Sequence, residues 1–93
     1  MEFILNDRVY DTENALEIFE FNELVPVNAL GRVINTEVKK RIYRTDKGNW
    51  FSVAEYRYEY RAKIETEQDI RNILKKKHQV ELYEKYFGEL ERG

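Results

Sequence analysis

Apolar and charged side chains alternate strictly through the middle of the sequence, from Trp50 onward. One set of alternate positions is Ser52, Ala54, Tyr56, Tyr58, Tyr60, Ala62 and Ile64, and the other is Glu55, Arg57, Glu59, Arg61 and Lys63. Side chains on a β-strand alternate between two faces, so the pattern predicts strand with one buried side and one solvated side. Because no Gly, Pro or Asn interrupts it, the segment fits one long strand or two strands joined near Arg57 to Tyr60.

A partner strand precedes this segment. Residues Thr36–Arg44 are rich in β-branched and aromatic side chains, and they end at the sequence Thr-Asp-Lys-Gly-Asn, where Gly48 can take the positive φ of a turn. At the N-terminus, Asn6 and Asp7 separate two short apolar runs in the same way. The two patterns predict an N-terminal β-hairpin and a central antiparallel meander.

Helices are predicted on either side of the meander. Asp11 and Thr12 can cap a helix, and apolar residues recur at helical spacing until Pro26, which predicts a helix over Thr12–Leu24. The recurring residues are Ala15, Leu16, Ile18 and Phe19. Residues 25–35 show no sustained period and predict a flexible connection.

The C-terminal third carries a stronger helix signal. Thr66-Glu67-Gln68-Asp69 has the form of a capping box, and Ile70, Ile73 and Leu74 follow as an apolar stripe. A second stripe, made of Val80, Tyr83, Phe87 and Leu90, is offset from the first, so we expect a break near His78 and Gln79.

These elements predict one α+β domain over residues 1–93, because a chain of this length holds a single core. We expect an antiparallel sheet packed on one face by an N-terminal helix and by C-terminal helices. The expected core consists of Phe3, Leu5, Leu16, Phe19, Val38, Ile42, Trp50, Tyr56, Tyr58, Ile70, Ile73, Leu74, Tyr83 and Phe87.

Residue types argue against catalysis and against a cofactor. There is no Cys, one His and one Ser, so neither a zinc or iron–sulfur site nor a nucleophilic triad has its ligands or partners. The scattered glycines do not form a phosphate-binding loop. We therefore expect no enzyme, no metal and no cofactor. The first residues lack a basic region and a long apolar run, from which we expect no membrane span and a cytoplasmic location.

Charge is sorted along the chain although the net charge is only −2. Residues 1–31 hold seven acidic side chains and one basic one, whereas residues 32–63 hold nine basic and four acidic ones. On the predicted helix the acids would share one face, namely Asp11, Glu13, Glu17, Glu20 and Glu23. Such a row is either a solvated helix face or a carboxylate surface that imitates a nucleic-acid backbone and docks on a basic groove.

The basic segment supports an alternative. Beside the tyrosines at 56, 58 and 60 it could stack bases and hold phosphates. The basic residues concerned are Lys39, Lys40, Arg41, Arg44, Arg57 and Arg61. Against this, the tyrosines fit a core, and the arginines alternate with glutamates as in cross-strand pairs. A third possibility is a homodimer in which an exposed strand edge pairs two copies.

Three ordered blocks resemble a family of small, mostly uncharacterised proteins encoded on phages and conjugative elements of bacteria. They are residues 4–15 (ILNDRVYDTENA), residues 42–51 (IYRTDKGNWF), and Thr66–Ile70 together with Tyr83–Gly88. Relatives usually carry a longer, glycine-rich loop after the Trp-Phe strand, whereas this chain has Ser52–Tyr60 there.

The resemblance implies an accessory protein directed against host defence, a group that includes anti-CRISPR proteins. On this basis we expect a non-enzymatic inhibitor in the cytoplasm of a bacterial host, bound to a Cas effector through the acidic face. A small chain without a catalytic set and with polarised charge suits a stoichiometric inhibitor of a nucleic-acid enzyme.

Overall fold

The computed structural model describes residues 1–93 and contains six strands, one short 3-10 turn and two helices. The strands are β1 (Glu2–Leu5), β2 (Arg8–Asp11), β3 (Ala15–Ala29), β4 (Arg32–Thr45), β5 (Trp50–Glu55) and β6 (Tyr60–Glu65). The 3-10 turn covers Thr12–Asn14, and the helices are α1 (Glu67–Lys76) and α2 (Val80–Phe87). The predicted α+β class is confirmed.

All strand pairs are antiparallel, and the chain forms two sheets. β1 and β2 make a two-stranded hairpin, and β3, β4, β5 and β6 follow one another as a four-stranded meander. Asn6 and Asp7 have φ of 51° and 60°, the paired positive values of the tight turn that favours Asn and Asp. Gly48 has φ of 84° in the β4–β5 turn. Both predicted turns are therefore confirmed.

The meander is covered on both faces. On the helix face, Ile42 and Trp50 pack against Ile70, Leu74 and Tyr83 of the two helices. On the opposite face, which we call the hairpin face, Tyr43, Phe51 and Val53 pack with Tyr10 of the N-terminal hairpin. We expected helices on one face only, and the hairpin provides a third layer.

The prediction of a helix over Thr12–Leu24 is wrong. Only Thr12–Asn14 turns, and the chain then runs as strand β3 to Ala29. From Phe19 onward half-buried and exposed positions alternate, which is the period of two expected of a strand. The spacing of apolar residues over Ala15–Phe19 resembles that of a helix and led to the wrong prediction. Ile18 is an extra residue at a bulge, which places two apolar residues side by side and imitates a helical step.

The expected flexible connection over residues 25–35 is also wrong, since it is an ordered hairpin. β3 and β4 remain paired out to Ala29 and Arg32, and Leu30 and Gly31 form the turn with φ of 52° and 75°. Pro26 does not end the strand, because β3 is the edge of the sheet and a proline is tolerated where its missing N–H would face solvent.

The alternating segment is two strands, joined by a turn over Tyr56–Glu59. The pairing Glu55–Tyr60 places an odd-numbered residue opposite an even-numbered one, so the faces exchange between β5 and β6. Ala54 therefore lies on the helix face, whereas Ala62 lies on the hairpin face with Val53. Tyr58 falls in the turn and is 87% exposed, so its assignment to the core is wrong, as is that of Leu16 on β3.

The predicted C-terminal helix with its cap and the predicted break are confirmed, but Leu90 of the second stripe lies beyond α2, which ends at Phe87. Thr66 caps α1, and a break over Lys77–Gln79 separates α1 from α2. Neither helix is long and apolar enough to cross a membrane.

Candidate protein-binding surface

The acidic residues predicted to line one helix face are distributed over three elements and both faces of the sheet. Glu17 and Glu20 lie on the hairpin face, because the bulge at Ile18 restores them to one side, and Glu23 lies on the helix face opposite Val38. Asp11 ends β2 and caps the 3-10 turn that contains Glu13, and its carboxylate accepts hydrogen bonds from the backbone N–H of Glu13 and from the Asn14 side chain. A continuous carboxylate row is not formed.

Arg41 on β4 occupies the centre of a charged cluster on the hairpin face. Its Nε lies 3.5 Å from Glu17 Oε1 and 3.4 Å from Glu20 Oε1, and its Nη1 donates to Glu55 Oε2 at 3.3 Å. Burial alone would lower the pKa of this guanidinium, but the bond to Glu55 and the charge of Glu20 raise it overall. One arginine thus ties together strands β3, β4 and β5.

Two further ion pairs join the same strands. Lys39 Nζ lies 3.5 Å from Glu20 on the hairpin face, and Lys40 Nζ lies 2.9 Å from Glu23 on the helix face. The acidic and basic halves of the sequence are therefore neighbours across the β3–β4 ladder and neutralise each other there. These charged residues therefore help to fix the pairing of β3 with β4.

The remaining basic candidates are separated. Arg44 stacks between Trp50 and Tyr86, 5.3 and 5.6 Å from the ring centroids, and so belongs to the packing of α2 on the sheet. Arg57 lies in the β5–β6 turn over Tyr58, and Arg61 lies at the start of β6 over Tyr56 and is also paired with Glu59. The six residues do not form one basic surface.

A part of the chain not predicted as a site projects beyond the three layers. We call residues Leu24–Glu37 the arm, because they pair only with each other: β5 joins β4 only from Lys39 onward. Seven residues on each side, six in the strand and one in the turn, at about 3.3 Å each, give it a length of about 23 Å. The molecule as a whole is elongated, with extents of 48 × 35 × 18 Å.

The arm differs chemically from the rest of the molecule. Between Leu24 and Thr36 only Arg32 is charged, in a chain of which 37% is charged. Its exposed apolar side chains are Leu24, Leu30, Val33 and Ile34, and Leu30 at the tip is fully exposed. An apolar two-stranded ribbon in water is marginally stable by itself, and exposed apolar patches mark interaction sites.

A groove of about 450 Å³ lies where the arm leaves the sheet. Residues of β4 form one side, including Glu37, Val38 and Lys39, and Tyr56 and Arg57 of the β5–β6 turn form the other. The groove exists because β5 stops at Glu55 while β4 continues. It places Tyr56 and Arg57 of the β5–β6 turn beside the base of the arm.

The one serine contributes to the interior. Ser52 is buried on the helix face and donates a hydrogen bond of 2.8 Å to the buried Glu65 carboxylate. Burial raises the pKa of Glu65, while the Ser52 bond and Lys63 act in the opposite direction. This pair connects β5 to the end of β6, just before the Thr66 cap of α1.

The sequence does contain a signal for the arm, in the near absence of charge over residues 25–36 between two highly charged segments. The Leu30-Gly31 step midway through it supplies the turn. Comparisons with protein-family models, with curated proteins and with solved structures found no match to this chain.

Proposed function

We propose that this chain is a non-enzymatic inhibitor that binds a protein of a bacterial defence system, and that the arm is the part that docks. The observation that carries the proposal is the arm itself, a ribbon about 23 Å long that has almost no charge and holds four large apolar side chains in solvent. Burying such side chains supplies affinity, at about 25 cal/mol per Å² of apolar surface.

The resemblance to small proteins of phages and conjugative elements supports the choice of partner. Anti-CRISPR proteins are among the accessory proteins it implies, so a Cas effector is the partner class we propose. The acidic residues are a weaker docking surface than the arm, because Glu17, Glu20 and Glu23 already have cationic partners on β4. Binding through them would first require those ion pairs to open.

The test is phage plaquing on bacteria whose Cas effector restricts the phage, with the chain supplied from a plasmid. Across a panel of effector types, we expect the wild-type chain to restore plaquing against at least one. A variant with Leu24→Ser, Leu30→Ser and Val33→Thr should lose this effect, because it removes three of the four exposed apolar side chains of the arm without altering the β3–β4 ladder. Co-purification of the effector with the wild type, and not with the variant, would place the defect in binding.

The N-terminal hairpin offers a matched control. Ile4 and Val9 are a cross-strand pair as exposed as the arm residues, so Ile4→Ser with Val9→Thr changes the same kind of surface elsewhere. We expect this control to inhibit like the wild type. Full inhibition by the arm variant would overturn the arm as the docking element, and the absence of inhibition by wild type against every effector would overturn the proposed partner class.

The carboxylates can be tested in the same assay. A variant with Glu13, Glu17, Glu20 and Glu23 changed to Gln should still inhibit if the arm docks. If this variant folds but does not inhibit, and the arm variant still inhibits, the acidic residues and not the arm form the interface.

A second candidate function, nucleic-acid binding, is favoured by one observation, the exposed β5–β6 turn. Tyr58 lies in solvent beside Arg57, and an exposed aromatic ring next to a guanidinium can stack on an unpaired base. Labelled single-stranded DNA and RNA would be titrated with the protein at two salt concentrations. Salt-sensitive binding that Tyr58→Ala weakens by about tenfold would support this candidate, since one base stack contributes about 1–3 kcal/mol.

A further inference from the structure

We propose that the free edge of β4 in the arm pairs with the same edge of a second copy of this chain, giving a two-fold dimer. The interface would be antiparallel, with Ile34 opposite Ile34 of the second copy and Val33 opposite its Asn35. This inference does not depend on the proposed function, because it concerns the isolated protein.

The edges of the sheet differ in how well they are protected against pairing. The outer edge of β3 contains Pro26 and the bulge at Ile18, and the outer edge of β6 carries Arg61 and Lys63. Prolines, bulges and charges are the features that prevent strand addition. From Val33 to Thr36 the free edge of β4 has none of them.

The backbone groups of this edge point outward at known positions. The tip is a two-residue turn, so the pair that closes it, Ala29–Arg32, is hydrogen-bonded, and alternate pairs beyond it are not. The non-bonded pairs include Asn28–Val33 and Pro26–Asn35. Val33, Asn35 and Glu37 therefore direct their N–H and C=O groups to the free edge, and Pro26 loses no bond to β4.

The proposed register matches these directions. When Ile34 faces itself, each Val33 meets Asn35 of the second copy, and both members of that pair present outward N–H and C=O groups. Directly opposed residues also lie on the same face of the extended sheet, as an antiparallel two-fold requires. A shift of one residue would violate both conditions.

The length of the free edge also fits a second arm. In this register Gly31 of the second copy stops opposite Glu37, just before Lys39, where β5 begins to pair with β4. The second arm then continues the line of β5, and its turn meets the β5–β6 turn. Leu30 of the second copy, fully exposed in the isolated chain, comes to the groove beside Tyr56 and Arg57.

The first test is the mass in solution, measured by sedimentation over a wide range of concentrations. We expect the wild-type mass to rise from 11.3 kDa toward twice that value. Asn35→Pro should weaken association by at least about tenfold, because each copy loses one backbone donor at the interface and none within its own arm. Asn28→Pro is the matched control on the β3 edge and should dimerise like the wild type.

Single cysteines test the register, and the chain contains no other cysteine. Non-hydrogen-bonded antiparallel partners have Cα atoms about 4.5 Å apart, within the range of a disulfide. Ile34→Cys should therefore cross-link rapidly to itself on oxidation, whereas Thr36→Cys, which would lie opposite Arg32 of the second copy, should not. This test stands even if Asn35→Pro fails to fold.

Three results would overturn the dimer. They are a wild-type mass that stays monomeric at millimolar concentration, loss of association in Asn28→Pro with Asn35→Pro unaffected, and equally slow cross-linking of the two cysteine variants. None of them bears on inhibition of a Cas effector, so the two proposals fail separately.

Discussion

Glu65 is a carboxyl group held inside the protein with a single neutral partner. It is only 8% exposed, at the end of β6, and accepts a hydrogen bond from Ser52. Lys63 and Asp69 are the charged groups near it, and their effects on its pKa oppose each other. Because burial disfavours the ionised form, the pKa is raised above the ordinary value of 4.5.

The raised pKa predicts a pH dependence of stability. A carboxyl whose folded pKa exceeds its unfolded pKa stabilises the fold fully below the unfolded value, and this contribution is lost as pH rises through the folded value. Glu65→Gln stays neutral and keeps the Ser52 bond, so it should become more stable relative to wild type as pH rises above 4.5. Each pKa unit by which folding raises the pKa of Glu65 corresponds to about 1.4 kcal/mol of difference in unfolding free energy between the two proteins.

Urea unfolding of both proteins from pH 3 to 8 would measure the difference. Ser52→Ala is the control for the hydrogen bond itself and should destabilise at every pH. A constant difference between Glu65→Gln and wild type across this range would contradict the assigned ionisation.

Among the elements, α1 is the one whose ends are most clearly specified locally. Thr66 Oγ1 accepts a hydrogen bond from the Asp69 backbone N–H at 3.1 Å, and the Asp69 carboxylate accepts one from the Thr66 N–H at 2.9 Å. These bonds lower the pKa of Asp69. The helix then presents Ile70 and Leu74 to the sheet.

Loss of the cap should be measurable in the stability of the whole domain. Thr66→Ala removes the side-chain acceptor and should lower the free energy of unfolding by about 1 kcal/mol. Thr66→Ser retains an acceptor at the same position and should stay near the wild-type value. Chemical denaturation of the three proteins would decide, and equal stabilities of Thr66→Ala and wild type would mean that the cap contributes nothing.

Elements with local signals could be predicted from the sequence, and those decided by distant neighbours could not. The Asn6-Asp7 turn and the capping box at Thr66 depend on residues a few positions apart. β3 is different, because the helical spacing at Ala15–Phe19 is overridden by fourteen residues of pairing with β4. No residue close to Glu20 in the sequence indicates that Arg41 is its partner.

At the scale of the whole molecule, the sorted charges of the sequence become paired charges in the fold. The acidic segment and the basic segment are the two strands of one hairpin, linked by the contacts of Arg41, Lys39 and Lys40. The arm was not predicted as a site because the candidate residues were chosen by their charge. Between Leu24 and Thr36 the arm has only one charged residue, Arg32. Exposed surface pairs of this kind contribute about 0.2–1 kcal/mol each, so their role is mainly to fix register.

The layered body should fold without the distal arm. Replacing residues 26–35 by Asn-Gly would close the hairpin on Val25–Thr36, a hydrogen-bonded pair suited to a two-residue turn. We expect the shortened chain to keep a cooperative thermal transition and the circular dichroism of the body, because both cores lie outside the excised residues. Loss of cooperative melting would show that the arm is part of the folding unit.

Leu30 has a consequence for evolution and engineering of this chain. Leu30 has a φ of 52°, a backbone conformation that Asn and Gly adopt readily, and the strain is of the order of 1 kcal/mol. Its fully exposed side chain recovers nothing within the molecule. Leu30→Asn should therefore raise the melting temperature, and selection for thermal stability alone would favour replacing this leucine.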